Sequence, residues 1–125
     1  YLIYFIYLIY LKKKVSFRVA LGLYLKSIEN NGMPFGIMIT ASHNKYKDNG
    51  LKIAAFKGES VPLSWESFFE DLANSNNITD KFQEILGKIS QENNTSLEKL
   101  LAIKANICIG YDTRPSSLDL HLIIK

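Results

Sequence analysis

The sequence contains very little cysteine and histidine, and it lacks the clusters of them that bind metals. Cys108 is the single cysteine among 125 residues, so an internal disulfide and a cysteine-ligated metal site are both excluded. It lies within the apolar run NICIG, which predicts a buried and chemically inert thiol. One of the two histidines, His121, stands in an apolar context without a second histidine at metal-ligand spacing, and we interpret it as structural.

A basic surface and a glycine-rich phosphate loop are also missing. Lys12, Lys13 and Lys14 account for the whole formal net charge of +3, so the rest of the chain is neutral and offers no electrostatic footprint for nucleic acid. Neither the P-loop nor the dinucleotide-binding glycine pattern occurs. Any affinity for phosphate must therefore come from a few placed side chains.

No hydrophobic run reaches the length of about 20 residues that a membrane-spanning helix requires. Residues 1–11 read YLIYFIYLIYL and are followed by three lysines, which reverses the order of a signal peptide. We therefore expect a cytoplasmic protein without membrane association, with the tail of a truncated anchor as the alternative. We interpret residues 1–14 as a leader and 15–125 as a partial folded domain.

Helical and strand patterns alternate after the leader, which predicts an α/β domain. The apolar spacing predicts helices over 15–29, 64–74, 78–90 and 97–103, with Ser64 as the N-cap of the second, and another helix beginning at Pro115. Short apolar runs predict strands over 35–41, 51–56 and 106–112. The first two strands can pair around the polar loop that separates them.

Two polar segments follow predicted strands, where a rigid support can hold reactive groups. In the loop SHNKYKDNG, Ser42 can act as a nucleophile, although the glycine-flanked elbow of the hydrolases is absent and an ordinary turn is the alternative. In the segment GYDTRPSS, Asp112 and Arg114 lie where a strand ends and a helix begins. Arginine at such a position can clamp a phosphate, and a surface Asp–Arg pair beside a helix cap is the alternative.

Taken together, the two segments resemble motifs of the α-D-phosphohexomutases. The run GIMITASHNKYKDNGLK resembles their active-serine signature, T-A-S-H-N-P followed by N-G-x-K, and GYDTRPSS resembles their G-x-D-x-R-x-S segment. Here the second motif follows the first, an order that resembles the phosphoacetylglucosamine mutase branch, which interconverts N-acetylglucosamine 6-phosphate and 1-phosphate. The resemblance implies a mixed sheet flanked by helices, as an incomplete form of the family's first domain.

The resemblance also implies roles for individual residues. Catalytic roles fall to Ser42, His43, Lys52 and Arg114, and phosphate- or substrate-binding roles fall to Asn44, Asn49 and Asp112. Ser42 would carry the phosphoryl group between two sugar positions through a sugar bisphosphate. Mg²⁺ would bind an oxygen of the phosphoserine formed at Ser42, and its remaining ligands have no counterpart in this sequence.

Several features depart from the family pattern. Lys45 replaces the proline after T-A-S-H-N, Tyr111 replaces the usual arginine after Gly110, and the match fades after Ser117. The metal-binding loop, the sugar-recognition loop and the distal phosphate-binding domain have no counterpart. We therefore expect a sugar phosphate substrate, dependence on the missing domains of the same enzyme, and little or no activity of this chain alone. A non-catalytic phosphate- or sugar-binding module and another hexose-phosphate mutase stay open as alternatives.

Overall fold

The computed structural model describes residues 2–4, 9–45 and 48–125, and it describes side chains for 13–45 and 48–125. The elements are β1 (Leu2–Tyr4), α1 (Ile9–Glu29), β2 (Phe35–Thr40), β3 (Gly50–Ala54), α2 (Ser64–Asn74), α3 (Ile78–Glu92), α4 (Leu97–Leu101), β4 (Ile107–Tyr111) and α5 (Pro115–Ile124). The predicted α/β class is confirmed, and each predicted helix and strand is present, with bounds that differ by a few residues.

The first fourteen residues contribute to two of these elements. Leu2–Tyr4 forms β1, which pairs antiparallel with β3. Helix α1 begins at Ile9, so the boundary expected after residue 14 falls inside α1. Tyr1 and residues 5–8 lie outside the described residues.

The four strands form one mixed sheet in the order β1-β3-β2-β4. Strand β2 pairs antiparallel with β3 and parallel with β4, where Ile39 is the register partner of Tyr111. Because β2 and β4 run in the same direction, their carboxyl ends meet at one edge of the sheet. The amino end of β3 lies at that same edge, since Thr40 is the register partner of Gly50.

Helices α1, α2 and α5 pack against one face of this sheet. Alternate residues of β2 are buried on that face, namely Phe35, Ile37 and Ile39. They belong to one apolar cluster with side chains of α1, α2 and α5, among them Val19, Leu23, Phe69 and Leu120. A second cluster joins α1 to α3 and α4 and consists of Leu25, Ile28, Leu86, Ile89 and Leu100.

Helices α1 and α2 approach each other closely at two points. A Cβ atom added to Gly22 would lie 2.5 Å from Cε1 of Phe69, so only glycine fits there. Arg18 is buried, and its Nη1 donates to the carbonyl oxygens of Leu72, Ala73 and Ser75 at 3.1, 2.9 and 2.6 Å. This arginine therefore satisfies carbonyls at the carboxyl end of α2 that have no partner within the helix.

The opposite face of the sheet is open within the described part of the chain. Met38 of β2 is 40% exposed, and Cys108 of β4 is exposed as well. The predicted burial of Cys108 is therefore wrong. Ile107 and Ile109 pack against the helical cluster, and side chains alternate along a strand, so Cys108 points to the open side.

The predicted N-cap of α2 is also wrong. Ser64 is the first residue of the helix, and the N-cap position belongs to Leu63, whose φ of −56° and ψ of −32° are already helical. The chain turns at Pro62, whose carbonyl accepts from the Trp65 amide, so the helical turn begins before the serine. Side-chain caps occur instead at α3 and α4, where Asn77 and Ser96 accept from backbone amides.

Candidate active site

The two polar segments singled out in the sequence meet at the edge where β2 and β4 end. The ladder between these strands continues past β4, because the Asp112 amide donates to the Ile39 carbonyl at 3.2 Å. Loops at the carboxyl ends of parallel strands are the usual place for binding sites in α/β sheets. We define the serine loop as residues 41–45, and this loop lies against the start of α5.

Ser42 is exposed and has a left-handed backbone conformation. Its φ is +53°, a value that non-glycine residues adopt at a cost of about 1–3 kcal/mol. Its amide donates to Thr40 Oγ1 at 2.9 Å, and the Asn44 amide closes a tight turn on the Ala41 carbonyl at 2.9 Å. These bonds hold the strained turn so that it presents the serine side chain to solvent.

Arg114 binds the carbonyl oxygens of this turn. Its Nη2 donates to the carbonyl oxygens of Ser42 at 2.9 Å and of Asn44 at 3.3 Å. Its Nη1 forms an ion pair with Oδ2 of Asp112. The structure thus brings the arginine to the serine loop, where the guanidinium contacts the loop backbone. The phosphate-stabilising role of Arg114 stays a prediction.

Asp112 is the acceptor that orients Arg114. Its Oδ1 accepts from the Ser117 hydroxyl at 2.6 Å and from the Arg114 amide at 3.1 Å. Burial opposes ionisation of this carboxyl group, but hydrogen bonds from Ser117, the Arg114 amide and Thr40, together with the Arg114 charge, outweigh it and lower the pKa of Asp112 from 3.8 to about 2. Asp112 is therefore a carboxylate at neutral pH.

Asn49 lies at the end of the connection between β2 and β3, and it is fully buried. Its Nδ2 donates to Ser116 Oγ at 3.0 Å and to Ser117 Oγ at 2.8 Å. Both serines belong to the first turn of α5, where Pro115 occupies the first position. The amide thereby fixes the far end of this connection to the same helix that follows Arg114.

The remaining predicted residues make fewer contacts with this network. His43 is exposed on the serine loop. Lys52 lies in the middle of β3 opposite Met38, and within the part of the chain that the structure describes its ammonium group has no ion-pair partner. The catalytic roles expected of these two residues stay predictions.

Two residues of the network escaped the sequence analysis. Thr40 accepts from the Ser42 amide and helps to lower the pKa of Asp112. Ser117 follows the G-x-D-x-R-x-S segment and joins Asn49 to Asp112. Thr40 is the first residue of the T-A-S-H-N run, and the position of both residues in or beside the two motifs is the one signal that could have indicated them.

The described residues do not form a magnesium site by themselves. Among residues 13–45 and 48–125 there is no group of three or more His, Cys, Asp or Glu side chains placed to hold a metal ion. Mg²⁺ requires near-octahedral oxygen coordination, and both oxygens of Asp112 already accept hydrogen bonds. The role of Ser42 as a contact for Mg²⁺ stays a prediction.

Helix α1 is the longest helix of the fold, and its sequence includes several basic residues. Among the helices that the structure describes, none combines the length and the apolar character needed to cross a membrane.

Comparison with known proteins identifies the family of this chain. A family model described as phosphoglucomutase/phosphomannomutase, alpha/beta/alpha domain I, matches residues 22–79, which include the serine loop. A solved N-acetylglucosamine-phosphate mutase of the alpha-D-phosphohexomutase superfamily, in its product complex, superposes with a TM-score of 0.76 at 32% identity over 90% of this chain. The chain belongs to the α-D-phosphohexomutase superfamily.

Within this superfamily, the chain is similar to phosphoacetylglucosamine mutases. The enzyme of Saccharomyces cerevisiae is 34% identical over 82% of this chain, and the human enzyme is 38% identical over 82% of it. The N-acetylphosphoglucosamine mutase of Aspergillus fumigatus, solved with GlcNAc-6P and magnesium, has a TM-score of 0.75 at 30% identity over 90% of this chain. The chain spans 19% of the yeast phosphohexomutase and 18% of the human one.

Proposed function

We propose that Ser42 is the phosphoryl carrier of a phosphoacetylglucosamine mutase, which interconverts N-acetylglucosamine 6-phosphate and N-acetylglucosamine 1-phosphate. The observation that carries this proposal is the hydrogen bond that the Arg114 guanidinium donates to the strained turn of Ser42. The two residues are 72 positions apart in the sequence. A fixed, exposed hydroxyl beside a cation is the arrangement that phosphoryl transfer needs. The relatives named above support the choice of sugar.

The reaction consists of two transfers at Ser42. First, the bond between phosphorus and Ser42 Oγ breaks and this oxygen takes up a proton, while a bond forms between phosphorus and a sugar hydroxyl oxygen, whose proton passes to a base. The resulting sugar bisphosphate turns round, and its other phosphoryl group is transferred to Ser42 Oγ, which gives up its proton to a base. The sugar oxygen released in this second step takes up a proton, which leaves the isomeric monophosphate. A covalent phosphoserine thus divides one migration into two in-line steps.

The neighbouring residues would assist these transfers. We propose that His43 and Asn44 shape the serine loop, and that Lys52 contributes proton transfer or positive charge near the moving phosphoryl group. Arg114 keeps positive charge close to the phosphoserine, where negative charge spreads over the equatorial oxygens. Mg²⁺, when bound, would supply further positive charge there, with Ser42 as its contact in this chain and its other ligands elsewhere.

A sugar phosphate needs more protein than this chain provides. The chain spans about one fifth of its relatives, so we propose that substrate recognition depends on further domains of the same enzyme and that this chain alone is inactive or nearly so. We further propose that the enzyme acts in the cytoplasm and supplies the sugar 1-phosphate for UDP-N-acetylglucosamine synthesis.

A non-catalytic phosphate- or sugar-binding module is the second candidate. Lys45 adds a positive charge to the exposed serine loop, and the described residues lack a complete metal site. A binding module would retain sugar phosphate without forming phosphoserine, so the covalent step separates the two candidates.

The test uses a chimeric enzyme, called the exchanged enzyme below, in which this chain replaces the matching segment of the human relative. We expect this enzyme to convert N-acetylglucosamine 6-phosphate to the 1-phosphate with Mg²⁺, and to take radioactive phosphate onto Ser42 from a labelled sugar bisphosphate. Ser42→Ala should abolish both, while the isolated chain should show no turnover. Turnover by a folded Ser42→Ala variant, or label on another residue, would refute the proposed role of Ser42.

A further inference from the structure

We propose that Asn49 and Ser117 are positioning residues that orient Arg114, and through it the serine loop, for phosphoryl transfer. This inference rests on the proposed function of Ser42, and it gives Asn49 a different role from the phosphate contact that the resemblance implies. Neither residue touches the reacting atoms in this account. They act through a chain of hydrogen bonds that leads from Asn49 to Ser117, Asp112, Arg114 and finally Ser42.

Burial is the first argument. Asn49 and Ser117 each have 0% of their surface exposed, so neither side chain can contact a sugar phosphate in this structure. The Asn49 amide instead donates to two hydroxyl groups of α5. Buried polar side chains are retained only where hydrogen bonds compensate for the lost water, so this pair of donors accounts for the presence of asparagine here.

The direction of the hydrogen bonds is the second argument. Asp112 is a carboxylate and can only accept, so the Ser117 hydroxyl must donate its single proton to Asp112 Oδ1. The same hydroxyl must then accept from its other neighbour, which requires the NH₂ group of Asn49. The Oδ1 atom of Asn49 has no hydrogen-bond partner among the described residues, so the hydrogen bonds that hold the side-chain amide are the two that Nδ2 donates.

The third argument is the path from Asp112 to the nucleophile. Its Oδ1 is held by Ser117 and by the Arg114 amide, so Oδ2 points to the Arg114 guanidinium. With the guanidinium held in this way, Nη2 reaches the Ser42 carbonyl. Without Ser117 and Asn49 the carboxylate can rotate, and Arg114 loses the anchor that aims it at the serine loop.

The experiment compares four variants with the parent protein, namely Asn49→Ala, Ser117→Ala, the double variant of both, and Asn106→Ala. Asn106 is the matched control, because its Nδ2 also donates to two acceptors, the carbonyls of Gly32 and Lys104, at the other end of the sheet. Circular dichroism measures the folded fraction of each variant.

Hydrogen exchange of the isolated chain then reports on the serine loop directly. We expect exchange in the peptide that contains residues 41–45 to rise about tenfold or more in Asn49→Ala and in Ser117→Ala, with the amides of β2 unchanged. Because both changes break one chain of bonds, the double variant should add little to either single one. Asn106→Ala should leave exchange in this peptide as it is.

In the exchanged enzyme, kcat should fall about 10- to 100-fold in Asn49→Ala and Ser117→Ala, while KM for the sugar phosphate changes less than about threefold. A rise in KM at unchanged kcat would overturn the positioning role in favour of a substrate contact. Loop exchange that does not respond in either folded variant would also overturn it. If the parent enzyme takes no label on Ser42, the proposed function fails, and the exchange data still test the positioning. If Asn49→Ala does not fold, Ser117→Ala carries the test.

Discussion

The Nη2 group of Arg114 donates to the backbone oxygen of Ser42, not to its hydroxyl group. The arginine therefore binds the turn that presents the nucleophile and leaves the side chain of Ser42 exposed. The Thr40 hydroxyl accepts from the Ser42 amide, and it also helps to lower the pKa of Asp112. Ser42 is thus held through its carbonyl by Arg114 and through its amide by Thr40.

Replacement of Arg114 by lysine should impair the site although it keeps the charge. Lysine lacks the planar fork that serves Asp112 and two carbonyl oxygens at once. We expect label transfer to Ser42 in the exchanged enzyme to fall about 10- to 100-fold. Arg18→Lys is the control, since Arg18 of α1 also donates to several carbonyls, but these lie at the carboxyl end of α2. It should lower stability and leave label transfer per folded molecule unchanged; equal losses in both variants would argue against a specific role of Arg114.

Asp112 should make stability depend on acid pH. Its pKa of about 2 in the folded chain lies below the ordinary 3.8, so the native state favours the carboxylate by up to about 2 kcal/mol. This contribution is complete above about pH 4 and is lost as the pH falls towards 2.

Urea unfolding of the parent chain and of Asp112→Asn tests this expectation. The variant should be less stable by about 2 kcal/mol at pH 7, and the difference should shrink towards pH 2. Asp119→Asn removes an exposed carboxylate from α5 and should change stability by less than about 0.5 kcal/mol. A difference between Asp112→Asn and the parent that is constant from pH 7 to pH 2 would contradict the assigned pKa.

Two glycines in helices should respond to alanine in opposite directions. Gly22→Ala places a methyl group 2.5 Å from Phe69 and 2.9 Å from Leu72, so we expect a loss of about 1–3 kcal/mol despite the better helix propensity of alanine. Gly87→Ala in α3 meets no atom within 4 Å and should gain about 0.5–1 kcal/mol. Thermal unfolding measures both, and a stabilised Gly22→Ala chain would show that α1 and α2 are not packed as described.

Cys108 should be reactive in the folded chain. The thiol is exposed on the face of the sheet that the described helices do not cover. We expect a thiol reagent to modify it in the native chain at nearly the rate seen in urea, and Cys108→Ser to cost less than about 0.5 kcal/mol. The family model describes an alpha/beta/alpha domain, in which helices cover both faces of the sheet. We therefore expect the exchanged enzyme to cover the face that carries Cys108 and to protect its thiol from the reagent. A thiol protected in the isolated chain would contradict an open face.

The sequence patterns predicted the elements well because apolar periodicity reports directly on the buried side of each helix. Strand β4 shows where this reasoning fails. The run NICIG is apolar throughout, so the pattern could not distinguish Ile107 and Ile109, which face the helices, from Cys108, which does not. The side that a strand residue faces is decided by which face the helices cover, and that is a property of the whole fold.

The candidate site was predicted in part for a similar reason. Ser42, Arg114 and Asp112 belong to short motifs that can be recognised from a few consecutive residues. The bond between Asn49 and Ser117 joins residues 68 positions apart, and both are ordinary turn and helix-start residues in their local context. No local pattern distinguishes a serine that begins a helix from one that also accepts a buried amide.

The parallel pairing of β2 with β4 has a consequence for the order of folding. Strands β2 and β3 can pair soon after they are synthesised, because they follow each other in the sequence. Strand β4 can pair with β2 only later, because α2, α3 and α4 come before β4 in the sequence. Contacts that close long loops form slowly. A nascent chain released before residue 107 would contain Ser42 without Arg114 or its anchors. Ser42 therefore gains its charged partner only once the chain has been synthesised as far as Arg114 and β4 has paired with β2.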